Sequence, residues 1–167
     1  MRSYQYPAEF TRAEEGGYVI TFPDVPEAIT QGETIEQCIG EASDALEEAI
    51  IGRINMGKDI PVPSIRQRGQ YFIPLAAQSA FKAALYEEIK SQELNKVQLA
   101  AWLGIDEREV RRLLNPHHAS KLPRIAEVLG RVGKRIVVGV EDEKEMAIEI
   151  KNLIVPLGDD SRVCNDG

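Results

Sequence analysis

TIEQCIGEASDALEEAI, residues 34–50, is the segment that organises everything around it. Thr34 and Gln37 have the spacing at which each side chain satisfies an unpaired N–H at a helix start. Ile35, Cys38, Ile39, Ala42, Ala45, Leu46, Ala49 and Ile50 recur at helical spacing along one stripe, with Glu36, Glu41, Asp44, Glu47 and Glu48 on the other side. A helix so divided needs an apolar surface to lie on, and the flanking sequence supplies strands. Upstream, Tyr6, Ala8 and Phe10 alternate with other residues; after Glu14-Glu15-Gly16-Gly17 the alternation resumes as Tyr18, Ile20, Phe22. Two period-two runs across a glycine-bearing turn predict a hairpin. Pro23 and Pro26 end the second strand, because proline has no N–H for a ladder. A third strand is expected at about Ala28 to Gln31, and a fourth from Gln70 to Leu75, beyond Gly57, Pro61 and Pro63. The order β-β-β-α-β predicts an α+β sheet with the helix on one face and Cys38 buried beneath it.

From Gln78 the pattern becomes helical. Phe81, Ala84, Leu85 and Ile89 mark a helix from about Ser79 to Leu94, and Asn95 begins another carrying Val97, Leu99, Ala100 and Leu103. Gly104-Ile105-Asp106 interrupts before a third helix with Val110, Leu113 and Leu114 inward, which Asn115-Pro116 breaks. A fourth runs from about Leu122 to Val132, and Ile136, Val138 and Val140 predict a short closing strand. Glycine at position 104 permits a left-handed backbone, so the two short helices around it can cross steeply in helix-turn-helix fashion. If Val110, Leu113 and Leu114 face inward, helical spacing turns Glu107, Arg108, Arg111 and Arg112 outward. An arginine fork there can read a guanine edge or hold a phosphate. Lys96, at the start of the preceding helix, suits a backbone phosphate, as do Asn115, His117, His118 and Lys121 beyond the last turn.

The 167 residues suffice for one ordinary domain or two small ones, and 43% hydrophobic with 28% charged residues predicts a folded chain. The longest apolar run, Leu99 to Ile105, is far short of the ~18 residues of a membrane span, and the N-terminus lacks a signal-peptide core, so a cytoplasmic protein is expected. Cys38 and Cys164 make neither a disulfide framework nor a metal cluster, and His117-His118 lacks further ligands at zinc spacing. No phosphate-binding loop, dinucleotide fingerprint or nucleophile motif occurs; no cofactor, metal or enzymatic activity is expected. The net charge of -7 is unevenly spread. Residues 1–64 hold 4 Lys/Arg against 12 Asp/Glu, residues 65–140 hold 13 against 7, and residues 141–167 hold 3 against 8. An acidic front fits a cationic partner and a basic middle fits nucleic acid. In the tail, Met146, Ile148 and Ile150 alternate like a strand, Glu145 to Ile154 fits a short helix equally, and disorder is expected beyond Asp159.

The stretches YPAEF (6–10), EGGYVITFPDVP (15–26) and TQGETIEQ (30–37), with the helix after them, resemble the HicB family of toxin–antitoxin antitoxins. The resemblance covers residues 4–75, and residues 79–140 are similar to the phage-repressor-type helix-turn-helix that many HicB proteins carry. It implies a partial ribonuclease-H-like fold without nuclease activity at residues 1–76 and a DNA-binding domain at 77–140, followed by an acidic tail at 141–167. The partners it implies are a HicA-type toxin (a small basic ribonuclease that cleaves mRNA) and the operator DNA of its own operon, bound as a homodimer that could pair into a tetramer. Matching the helix-turn-helix to the phage-repressor pattern carries base contact to Glu107, Arg108 and Arg112 and phosphate contact to Lys96 and Asn115. Lys96 and Asp106 depart from the Gln, Ser or Thr usual there, and Pro116 from a glycine. Two other readings stand beside this one: a helix-turn-helix transcription regulator without a toxin partner, and a metal-dependent nuclease built on carboxylates such as Glu9 and Asp24.

Overall fold

A computed structural model describes residues 1–154. Strands β1 (Gln5–Arg12), β2 (Tyr18–Thr21), β3 (Ile29–Gly32) and β4 (Gln70–Pro74) form one antiparallel sheet in the order β3-β2-β1-β4. Register places Phe10 opposite Ile20, Ala8 opposite Tyr71 and Tyr6 opposite Ile73, so these apolar side chains share one face. Helix α1 (Ile35–Asn55) lies across that face. Thr34 caps it by accepting from the Gln37 N–H at 3.2 Å, while the Gln37 side chain accepts from the Glu33 N–H at 3.1 Å. Cys38, Ala42, Leu46 and Ile50 are fully buried, each larger side chain contributing about 1.5–3 kcal/mol relative to exposure. Ala28 belongs to the turn before β3, its N–H donating to the Val25 carbonyl and its methyl packed in the core, which is why β3 starts one residue later than the alternation predicts. Gly17, at φ +75°, stands where a Cβ would meet the Gly32 carbonyl oxygen at 2.6 Å, so the approach of β2 to the end of β3 requires glycine.

Among the described residues five further helices follow: α2 (Ala77–Ser91), α3 (Lys96–Leu103), α4 (Glu107–Leu114), α5 (Leu122–Arg131) and α6 (Glu143–Ile154). Helix α2 serves two cores. Ala83 packs with the sheet and α1, whereas Leu85 joins Leu99, Leu103, Val110, Leu113, Ile125, Val128 and Leu129 in a second cluster. On its first side, α2 is fastened by Glu87, which accepts from Arg2 at 2.7 Å and from the Tyr4 hydroxyl at 2.5 Å. Glu47, expected on a solvated face, is instead half-buried and accepts from the hydroxyl of the buried Ser79 of α2.

At the C-terminal end one expectation is corrected and one open alternative is decided. Ile136 to Val140 does not form the short closing strand: residues 134–142 carry neither helix nor strand, and Val137, Val138 and Val140 are exposed. A strand needs a ladder partner for its N–H and C=O groups, and among the described residues no other strand lies beside the segment. In the acidic stretch after it, the short helix is the alternative that forms. Residues 143–154 form α6, whose Met146, Ala147 and Ile150 are buried against α1 and β1 while Ile148 is exposed, a helical rather than alternating pattern. Lys151 pairs with Glu36 at 2.6 Å and Arg66 with Glu149 at 3.3 Å, fastening α6 to α1 and to the segment before β4. The disorder expected beyond Asp159, and Cys164, lie outside the described residues.

If α6 is part of the first core, Ile150→Ala should lower stability by about 2 kcal/mol in urea unfolding and speed proteolytic removal of the C-terminal segment. Unchanged unfolding and cleavage would contradict that packing.

Candidate nucleic-acid interface

Helices α3 and α4 are eight residues each, too short to persist alone, and their ends are individually secured. Asn95 and Gln98 form a reciprocal capping box at the start of α3, with distances of 2.9 and 3.0 Å. Gly104 ends α3 in the left-handed conformation at φ +63°, and Asp106 caps α4 by accepting from the Glu109 N–H at 2.7 Å. Arg131 of α5 donates to the Leu103 carbonyl, so the turn between α3 and α4 is held from a third helix. Arg124 of α5 donates from Nε to Glu109 at 2.6 Å and from Nη1 to Glu127 at 2.5 Å, locking α4 to α5.

Val110 and Leu113 are buried, Leu114 is half-buried, and Glu107, Arg108, Arg111 and Arg112 face solvent, as helical spacing requires. Among the described residues, the ion pairs of this half engage Arg124, Arg131 and Lys134 rather than the three arginines of α4. Arg111 makes only a long contact, 3.5 Å from its Nε to the Glu107 carbonyl. Glu109, which would dilute the positive face, is neutralised by Arg124. The outcome is a two-turn helix presenting Arg108, Arg111 and Arg112 together. Lys96 is exposed at the first position of α3. Asn115 is exposed at the C-terminal cap of α4, where its Oδ1 accepts from the His117 N–H at 3.0 Å. His117, His118 and Lys121 are exposed on the loop that follows, whereas Pro116 is buried and anchors it.

Sequence reading missed Lys82 of α2, which is 4% exposed and donates to the Arg112 carbonyl at 3.0 Å, the Leu113 carbonyl at 2.8 Å and the Ser120 hydroxyl at 2.9 Å. Burial pushes its ammonium down to about 8, and its three acceptors match the three N–H donors of the charged form. Its only sequence signal is position: Ser79, Lys82, Ala83 and Tyr86 share one side of α2, which becomes meaningful once both cores are known.

The first half has the opposite electrostatics. Glu41, Asp44 and Glu48 are exposed on α1, and an open groove of about 850 Å³ between α1, β4 and α6 is lined by Glu36, Asp44, Glu141 and Glu143, with Lys144. Asp24 accepts from the Ser64 N–H at 2.8 Å and Glu9 from the Gln70 amide at 2.9 Å, so each has a structural partner. No three His, Cys, Asp or Glu side chains gather as a metal-binding group among the described residues.

Residues 5–84 match the family described as the HicB_like antitoxin of bacterial toxin-antitoxin systems. Antitoxin HicB of Escherichia coli is 35% identical over 132 residues, which is 79% of this chain and 96% of that protein. The chain belongs to the HicB antitoxin family. Antitoxin HicB 1 of Photorhabdus laumondii is 30% identical over 141 residues, 84% of this chain and 90% of that protein. Antitoxin HicB of Pseudomonas fluorescens is 28% identical over 139 residues, 83% and 94% of the two chains. These HicB relatives support a regulatory antitoxin role within a toxin–antitoxin system. No helix of the described residues is long and apolar enough to cross a membrane.

Asp106→Ala removes the α4 cap and should lower stability by about 1 kcal/mol in denaturant unfolding. No loss would mean that α4 is held by its packing alone.

Proposed function

We propose that this HicB-family antitoxin neutralises a HicA-type mRNA-cleaving toxin with its first half and represses its own operon with residues 77–140. The observation that carries the second part is the exposed trio Arg108, Arg111 and Arg112 on a helix whose neighbouring carboxylate, Glu109, is neutralised by α5. In this reading α3, Gly104 and α4 are a helix-turn-helix. Helix α4 enters the major groove, Glu107, Arg108 and Arg112 reach base edges, and Lys96 and Asn115 engage phosphates. The first half, a ribonuclease-H-like sheet without catalytic work, covers the toxin's RNA-cleaving surface. Its acidic helix and groove favour a cationic partner, because complementary potentials speed encounter and orient docking.

Operator reading by so small a unit calls for two copies, with recognition helices about 34 Å apart on an inverted repeat. We infer that the segment around Val137, Val138 and Val140 pairs with its copy across the two-fold axis, which would give its backbone ladder partners and cover its exposed valines. Further pairing of dimers into tetramers is compatible with that contact.

Arg108→Ala with Arg112→Ala should weaken binding to duplex DNA from the promoter of its own gene by about 100-fold or more, while toxin neutralisation in a growth-rescue assay is unaffected. Unaltered DNA affinity would reject α4 as the reading helix; lost neutralisation would reject the division of labour. Raising salt from 50 to 200 mM should reduce wild-type affinity by about 10³-fold if several phosphates are neutralised per dimer. A flat response would reject nucleic acid as the partner of the basic half.

A further inference from the structure

Lys82 is the only buried charged side chain among the described residues. Its surroundings are unusual for a buried cation, because no carboxylate faces it. Its three N–H donors are met by three neutral acceptors: the carbonyl oxygens of Arg112 and Leu113 and the hydroxyl of Ser120. The two carbonyls belong to the last turn of α4, where helical hydrogen bonding has run out and the peptide dipoles present their negative ends. Ser120 lies across the loop that follows. With its amide oriented to satisfy both partners, Gln78, one turn earlier on α2, also grips this residue, accepting from the Ser120 N–H at 2.8 Å and donating to its carbonyl at 3.1 Å. Helix α2 therefore holds the end of α4 and residues 115–120 as one unit, from beneath.

Fold stability alone does not call for a charge there, since an apolar side chain of similar length would avoid the cost of desolvating an ammonium. What the ammonium adds is direction. It fixes two specific carbonyls and one hydroxyl relative to α2, whereas an apolar contact would let the last turn slide. The carbonyl of Arg112 is itself one of the acceptors, so the peptide from which that guanidinium departs is the one held.

We propose that Lys82 is the positioning residue of the DNA-reading surface, setting from inside the fold the attitude at which Arg108 and Arg112 leave α4 and the loop carrying His117 and His118 follows it. This inference rests on the reading of α4 as the recognition helix. At its N-terminal end α4 is fixed by the Asp106 cap and the Glu109–Arg124 pair; at its C-terminal end Lys82 is the tie. A two-turn helix released at one end frays through the turn containing Arg112. Bidentate hydrogen bonds to a base edge tolerate little displacement, but phosphate contacts made by long flexible cations tolerate much more. Loss of the tie is therefore expected to degrade sequence discrimination and to spare non-specific DNA binding.

The test uses the full chain and two duplexes of equal length, one from the promoter of its own gene and one with that sequence scrambled. For Lys82→Met, the preference for promoter over scrambled DNA should fall by about 10-fold or more. Affinity for scrambled DNA and its salt slope should match the wild type. A merely structural role would lower the active fraction and move both affinities together, leaving the ratio intact, and that result overturns the proposal. Should Lys82→Met not fold, Ser120→Ala removes one acceptor and leaves both carbonyls in place; a smaller fall in the same ratio is expected, and an unchanged ratio overturns the proposal. A wild-type chain with no preference for promoter DNA sinks the recognition-helix reading and this inference with it. Wild-type preference preserved in the variant sinks the inference alone.

Discussion

Helix α2 has to satisfy two cores at once, and the rest of the molecule is arranged around that constraint. On one side Ala83 closes the sheet-and-helix core, and Glu87 ties the helix to Arg2 and Tyr4 at the chain's start. On the other, Leu85 packs among the short helices α3, α4 and α5, and Lys82 reaches the end of α4. Short helices draw their stability from packing rather than from their own hydrogen bonds. The basic half thus depends on a helix whose other face is committed elsewhere.

Charge is sorted by the same geometry. Arg124 and Arg131, which look like further members of a basic face, are spent on Glu109, Glu127 and the Leu103 carbonyl. That use of cations leaves Arg108, Arg111 and Arg112 outward and removes the nearest competing carboxylate. The first half keeps its exposed carboxylates on α1 and along the groove beside α6. Family membership supports an antitoxin role, and these two surfaces are where its two kinds of partner are proposed to bind.

Much of the fold was legible because its signals are local. The Thr34–Gln37 cap, the stripe from Ile35 to Ile50, the hairpin glycines and the Gly104 break act within a few residues and appear where spacing puts them. The outward set on α4 was legible for the same reason, since helical periodicity alone separates Arg108 and Arg112 from Val110 and Leu113. Glu47 shows where such reasoning stops: periodicity put it in water, but the arrival of α2 gave it the hydroxyl of Ser79. Ile136, Val138 and Val140 alternate like a strand, yet strand formation needs a neighbour that periodicity cannot provide.

The sequence by itself therefore determined the element types of the sheet, the main helix and the short helical pair, and the face each turns toward its core, because these follow from side-chain period and end-capping. Only the tertiary structure decided which distant segments meet: α6 returning to the first core, Arg124 neutralising Glu109, and Lys82 closing the end of α4. Those contacts span 15 to 115 residues of chain. They are selected by the whole arrangement of packed helices, which no local pattern encodes.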